Sequence, residues 1–193
     1  NTINVTLAHS TDSVCQGTAI TYTASPPGYS LYNFFVNNTQ VQSSASTTYV
    51  ANGLAPGDSV RVLAFDGVCF SNPSATHYPY IKPIPAPAVL TDSDADDTIC
   101  GGDLVVYTAS PAGYDNYAFY NGGSQQQTGP NNIWQTTQLG QGNFIYCIVT
   151  DDGCTGNWSN VIEIYVKPTP SVSIIASANT ICQGDQVTVT ASP

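Results

Sequence analysis

The phrase "VCQGTAITYTASPPGY" at residues 14–29 decides the fold, because it is written again as "ICGGDLVVYTASPAGY" at residues 99–114. Its opening returns a third time as "ICQGDQVTVTASP" at residues 181–193. Each copy alternates apolar with polar residues and is rich in Val, Ile, Thr and Tyr, which is typical of a half-buried β-strand. A phrase that recurs at a long, regular spacing indicates a repeated structural unit.

The cysteines give the period of this repeat. Cys15 and Cys100 are 85 positions apart, and so are Cys69 and Cys154. In this register the first two units align without a gap, whereas the third copy of the phrase begins three residues early. The predicted domains are two complete repeats and the start of a third: residues 1–84, 85–169 and 170–193.

The pattern within a repeat predicts short antiparallel strands separated by Gly, Pro, Asn and Asp. Ile20, Tyr22 and Ala24 share the face that we expect in the core, and the intervening threonines point the other way. Six or seven strands in about 85 residues favour an all-β fold of tandem immunoglobulin-like β-sandwich repeats. Proline-rich segments at 82–87 and 167–171 predict semi-rigid linkers between them.

The composition excludes several partners. The 193 residues carry a net charge of -10 with three basic side chains, so we expect no nucleic acid, because phosphate binding needs clusters of Lys and Arg. No apolar run is long enough to span a bilayer, which predicts no membrane insertion. Because the chain has no Met and starts at Asn1, we expect a mature piece of a longer protein.

No catalytic motif emerges, and we predict that the protein is not an enzyme. The sequence has neither a nucleophile-elbow phrase nor a phosphate loop. Its two histidines, His9 and His77, have no cysteine or carboxylate at metal-ligand spacing. His77 is interpreted as a packing residue at the end of a strand.

Cysteine content favours an oxidising, extracellular compartment. The favoured pairing is within each repeat, Cys15 to Cys69 and Cys100 to Cys154, where a disulfide would stabilise the domain by about 4 kcal/mol. The start of the second strand and the end of the sixth lie at opposite ends of a sandwich, however. A bridge between neighbouring repeats, such as Cys15 to Cys154, is therefore the alternative. Cys147 lacks the usual second-strand partner and is predicted to be a buried free thiol.

An acidic phrase, "TDSDADD" at residues 91–97, is the candidate ion site. Asp92, Asp94 and Asp96 alternate as the oxygen ligands of a calcium loop do. The central Gly and final Glu of an EF-hand loop are missing, so a solvated acidic turn is the alternative. Apart from calcium, we expect no cofactor.

Several phrases together resemble a known class of repeats. A Cys-x-Gly opening, "TASP-x-GY", an L-x-x-G turn, a "DG-x-C" or "DGC" phrase and a closing "KP-x-P" resemble the tandem Ig-like and PKD-like repeats of very large Bacteroidetes cell-surface proteins. These repeats also occur in gliding-motility adhesins exported by the type IX secretion system. The resemblance covers nearly the whole chain and implies an extracellular, cell-surface filament or stalk serving adhesion or gliding motility.

The same resemblance implies partners and modifications. Its partners would be neighbouring repeats of the same chain, surface polysaccharide or other filament chains. Ser13, Ser59 and Thr98 each follow Asp and precede an aliphatic residue, which is similar to the O-glycosylation phrase of Bacteroidetes. We expect structural spacer repeats; the alternative is a carbohydrate-binding module that uses an exposed Trp134 or Trp158.

Overall fold

A computed structural model describes residues 3–193. These residues form strands joined by turns and contain no helix, which confirms the all-β prediction. They divide into two compact units. Unit 1 holds the described residues up to Pro87 together with Val149–Asn157, and unit 2 holds Ala88–Ile148 and Trp158–Pro193.

Unit 1 has the strand order of an immunoglobulin-like sandwich. Its strands are β1 (Thr6–His9), β2 (Ser13–Cys15), β3 (Ile20–Ser25), β4 (Leu31–Val36), β5 (Thr39–Ser44), β6 (Thr48–Ala51), β7 (Val60–Phe65) and β8 (Tyr80–Lys82). Strands β1 and β6 flank β3 in one antiparallel sheet, β5 and β7 flank β4 in the other, and β2 runs parallel to β8.

The core of unit 1 follows from the alternation seen in the sequence. Ile20, Tyr22 and Ala24 on β3 are buried while the residues between them are exposed, as predicted. They pack against side chains of the opposite sheet, among them Phe34 and Val62, both fully buried. The two sheets therefore share one apolar layer.

Local residues set the length of two strands of unit 1. Strand β5 begins directly after β4, because Asn37 and Asn38 adopt φ angles of 50° and 67° and form a tight hairpin turn. The last strand, β8, is only three residues long and is preceded by a single bridge between His77 and Val60. Pro79 separates the bridge from β8, because proline has no N–H for the ladder.

The second repeat contains the corresponding strands: β9 (Val89–Asp92), β10 (Thr98–Cys100), β11 (Val105–Ser110), β12 (Asn116–Asn121), β13 (Ser124–Gly129), β14 (Ile133–Thr136), β15 (Asn143–Asp151), β16 (Cys154–Trp158), β17 (Ile162–Lys167), β18 (Ser173–Ala176) and β19 (Val189–Ser192). They lie in unit 2, except that the end of β15 and most of β16 fall in Val149–Asn157, which belongs to unit 1. One sheet has the order β10-β17-β15-β12-β13, with β16 paired to β15, and the other has the order β14-β11-β9. A hairpin of β18 and β19 follows, and the prediction that a third repeat begins there stays a prediction.

The register of the first strands corrects the gapless alignment. Thr6 lies opposite Ser25, and Val89 lies opposite Ser110. The two serines obey the 85-residue period, whereas Thr6 and Val89 are 83 positions apart. The second repeat therefore has two extra residues in the acidic turn 93–97, where an exposed turn accepts an insertion without disturbing the sheets.

Candidate functional site

A disulfide joins Cys15, the last residue of β2, to Cys154, the first residue of β16. Their Cα atoms are 5.6 Å apart although 139 positions separate them in sequence. Cys154 belongs by sequence to the second repeat, but it lies in Val149–Asn157, the hairpin segment that packs as part of unit 1. The disulfide that forms is therefore Cys15–Cys154, the pairing that the sequence analysis gave as the alternative.

The predicted pairings Cys15–Cys69 and Cys100–Cys154 are wrong: Cys69 and Cys100 are exposed free thiols. Cys15 lies near the start of β3, because the Thr18 N–H donates to its carbonyl. Cys69 lies near the opposite end, because its carbonyl accepts from the N–H of Asp66, directly after β7. The last residue of β7, Phe65, pairs with Leu31, which follows the end of β3 in the chain. A six-residue strand separates the two ends by about 20 Å. A disulfide requires Cα atoms no more than about 7 Å apart, so the intra-repeat bridge cannot close.

Further contacts hold the hairpin 149–157 within unit 1. Lys82 Nζ donates to the carbonyl oxygen of Asp152 at 2.9 Å and to its carboxylate at 3.1 Å. Gly156 approaches Pro85 so closely that a Cβ on the glycine would lie 2.8 Å from the Pro85 carbonyl oxygen. Glycine is required at this position because no side chain fits.

Cys147 is a free thiol with no exposed surface. Burial raises its pKa to about 12. Since the thiolate is the reactive species, the residue acts as a small apolar side chain of the unit 2 core.

A second cluster, which the sequence analysis missed, gathers both histidines around one carboxylate. Asp12 Oδ1 lies 3.4 Å from His9 Nε2 and 3.2 Å from His77 Nε2. The two imidazole rings are stacked, with centroids 3.7 Å apart. The statement that neither histidine has a carboxylate at ligand spacing is therefore wrong, and the three-residue step from His9 to Asp12 was the available signal.

The core orients the ring of His77. The hydroxyl of the fully buried Tyr22 lies 3.0 Å from His77 Nδ1. Burial, followed by repulsion from His9, lowers the pKa of His77, although Asp12 opposes the shift. At neutral pH both effects favour a neutral imidazole whose Nε2 faces Asp12.

Unit 2 has a different set of side chains at the corresponding positions. Asp92 lies opposite Tyr107 as His9 lies opposite Tyr22, and Ile162 stands 85 positions after His77. Burial, with a smaller contribution from a neighbouring carboxylate, raises the pKa of Asp92 to about 6. The imidazole pair is therefore a feature of unit 1.

The predicted calcium ligands Asp92, Asp94 and Asp96 mainly organise their own turn. Asp94 Oδ1 accepts from the backbone N–H groups of Asp96 and Thr98, both at 3.2 Å. Within residues 3–193, the carboxylates of this turn are not among the sets of three ligand atoms that approach within 4.8 Å. Calcium binding there stays a prediction.

The proposed glycosylation sites differ in exposure. The Ser13 hydroxyl oxygen is buried, and that of Thr98 donates to the Asp96 carbonyl at 3.0 Å. Ser59 is half-buried and its hydroxyl lies 3.4 Å from the side-chain oxygen of Asn37. Glycosylation of these three residues stays a prediction.

The two tryptophans of unit 2 lie in different environments. Trp134 is buried and stacks on Tyr107, with ring centroids 5.3 Å apart, so it offers no face to a sugar. Trp158 is 60% exposed and stacks on Tyr146, with ring centroids 4.7 Å apart. Tyr146 also stacks on Tyr120, with ring centroids 5.0 Å apart. Tyr120, Tyr146 and Trp158 form an aromatic row.

Comparisons with known proteins assign no family: no family model and no curated protein matches this chain. Among solved structures, the fibronectin(III)-like modules of Clostridium thermocellum CbhA are 15% identical, with 83% of this chain and 94% of that chain covered and a TM-score of 0.48. Murine CEACAM1b is 10% identical, with 85% and 100% covered and a TM-score of 0.43. The ligand-binding domain of human OSCAR is 15% identical, with 83% and 97% covered and a TM-score of 0.37.

Residues 3–193 contain no helix of the length and apolar character needed to cross a bilayer.

Proposed function

We propose that this chain consists of structural spacer repeats from a long extracellular surface filament or adhesin, serving adhesion or gliding motility. The observation that carries the proposal is the bridge from Cys15 to Cys154, which ties the first repeat to a hairpin of the second across 139 positions. Disulfides persist in oxidising compartments, which supports an extracellular location. Neither the core residues nor the bridge needs a substrate, so the proposed role is not catalytic.

The remaining cysteines support continuation of the same bridging scheme. Cys100 in the second repeat corresponds to Cys15 in the first. Likewise, Cys69 in the first repeat corresponds to Cys154 in the second. Both thiols are exposed. We infer that each bridges to a neighbouring repeat of the same kind, with two electrons and two protons passing to a disulfide-donating oxidant. Neighbouring repeats are therefore the proposed partners.

A pulling experiment on the two ends of the chain tests the spacer role. In the oxidised protein, we expect that the residues between Cys15 and Cys154 do not extend under load, because a disulfide is not broken by forces that unfold domains. Reduction should add about 480 Å of contour length, from 139 residues at about 3.5 Å each. The measurement is single-molecule force spectroscopy with and without dithiothreitol.

Two variants control this measurement. Cys154→Ser should extend fully without reductant, whereas Cys69→Ser should behave as the unmodified chain does, since Cys69 is unpaired here. Full extension of the oxidised, unmodified chain would contradict a role in bearing tension.

The aromatic row of unit 2 favours a second candidate, a carbohydrate-binding module. An exposed, flat indole supported from behind by a stacked ring offers the apolar surface on which a sugar ring packs. The first repeat lacks this surface, because Pro73 stands at the position of Trp158 and Arg61 lies over Phe35 at 4.9 Å. A binding face shared by all repeats is therefore not supported.

Affinity electrophoresis in gels containing soluble polysaccharides separates the two candidates. Because a spacer needs no ligand at Trp158, we expect the unmodified protein and Trp158→Ala to migrate alike in every gel. Retardation of the unmodified protein that is lost in Trp158→Ala, but kept in the conservative variant Trp158→Phe, would favour carbohydrate binding instead.

A further inference from the structure

The histidine cluster of unit 1 brings together three side chains of types that bind metal ions. In a tetrahedral zinc site with bonds of about 2.0 to 2.2 Å, neighbouring ligand atoms lie about 3.3 to 3.5 Å apart. Asp12 Oδ1 lies 3.2 and 3.4 Å from the two imidazole nitrogens, which is close to that separation, and all three ligand atoms lie within 4.8 Å of one another. The two rings are stacked, so one of them must turn before both Nε2 atoms can bind the same ion.

The backbone holds the three residues in place from different elements. His9 ends β1 and lies opposite Tyr22, and His77 exchanges two hydrogen bonds with Val60, each 2.9 Å long. The carbonyl of Asp12 accepts from the Tyr80 N–H at 2.8 Å. The backbone of each ligand residue is therefore held in place, and only side chains need to turn when an ion binds.

The surroundings of the cluster also suit an ion. Tyr22 lies against His77 Nδ1, the position where metal-bound histidines commonly donate to an outer oxygen, and this contact leaves Nε2 as the ligand atom. The side chains of His9 and His77 are 27% and 13% exposed, while that of Asp12 is 84% exposed. An ion can therefore enter from solvent, past the carboxylate.

We propose that His9, Asp12 and His77 bind one divalent ion of the zinc type through the two Nε2 atoms and the Asp12 carboxylate. Water supplies the fourth ligand. Two imidazoles with one carboxylate suit zinc, cobalt, nickel or copper, whereas calcium and magnesium prefer oxygen alone. The ion joins the first strand of unit 1 to the segment that precedes its last strand.

The test uses the oxidised full-length chain and zinc chloride as the probe. The exposed thiols Cys69, Cys100 and Cys182 are first blocked with iodoacetamide under native conditions, because thiolates also bind zinc. Isothermal titration should then give one zinc ion per chain. The ring signals of His9 and His77, the only histidines, should shift together in the proton NMR spectrum.

A matched variant comes from the second repeat. His77→Ile copies Ile162 and should fold while weakening zinc binding at least tenfold; Asp12→Asn should also weaken it and leaves the packing of His77 in place. Far-UV circular dichroism and the intact Cys15–Cys154 bridge check the fold. Unchanged zinc affinity in both variants, or no shift of either histidine at millimolar zinc chloride, would overturn the proposal.

Discussion

Replacing Cys154 by serine is expected to lower the free energy of complete unfolding by about 5 kcal/mol. The bridge closes a loop of 139 positions, and in the chain-entropy model the stabilisation grows with the logarithm of loop length. Cys15→Ser should have the same effect, and the double variant should add little to either, because all three remove one bond. Guanidinium denaturation followed by fluorescence measures the loss.

The control for this series is Cys69→Ser. Its thiol is exposed and unpaired, so we expect a change within about 0.5 kcal/mol. Non-reducing peptide mapping identifies the bond directly and should link the peptide of Cys15 to that of Cys154. A map that links Cys15 to Cys69 instead would contradict the connectivity and the proposal built on it.

The sandwich could be predicted because its main signal is local. Alternation places Ile20, Tyr22 and Ala24 on one face of β3, and that face is buried. The three-residue strand β2 was missed because its evidence is not local: it forms by pairing in parallel with β8, more than sixty positions away. A short strand stabilised only by a distant partner leaves no periodic pattern.

The disulfide shows a different limit. The constant spacing of 54 positions between Cys15 and Cys69 and between Cys100 and Cys154 reflects duplication. Such spacing carries no information on which cysteine of one unit meets which cysteine of another. Only the placement of Val149–Asn157 in unit 1 distinguishes the two pairings, and a sequence period cannot show that a hairpin packs outside its own repeat.

The histidine cluster was missed for a related reason. His9 and His77 are 68 positions apart and meet because β1 and the segment before β8 lie at the same edge of unit 1. The insertion in the acidic turn also misaligned the second repeat, pairing His9 with Asp94 instead of Asp92. The equivalence between the imidazole cluster and Asp92 became visible only from strand register.

Truncation of one core ring in each unit should separate the two units energetically. Phe34 and Phe119 occupy corresponding positions, and both are fully buried, against Tyr49 at 5.5 Å and Trp134 at 6.1 Å. Phe→Ala at such sites costs about 3 to 5 kcal/mol through lost burial and the cavity that remains. We expect Phe34→Ala to destabilise unit 1 and Phe119→Ala to destabilise unit 2, each by that amount.

Native-state hydrogen exchange reads out this pair of variants residue by residue. Val50→Ala is the control for unit 1, since Val50 is 49% exposed and its truncation should leave exchange nearly unchanged. In Phe34→Ala, amides of the described residues up to Pro87 should exchange faster, while those of Val105–Ser110 keep their protection.

The hairpin 149–157 decides between two divisions of the chain. If it belongs energetically to unit 1, to which the bridge and the Lys82–Asp152 contact attach it, its amides should lose protection in Phe34→Ala. If the 85-residue sequence period set the folding unit, the same amides would follow Phe119→Ala. We expect the first result, because the disulfide and the packing of Gly156 against Pro85 attach this segment physically to unit 1. Membership of the second repeat by sequence adds no such contact. Loss of hairpin protection in Phe119→Ala alone would return the domain boundary to the sequence period.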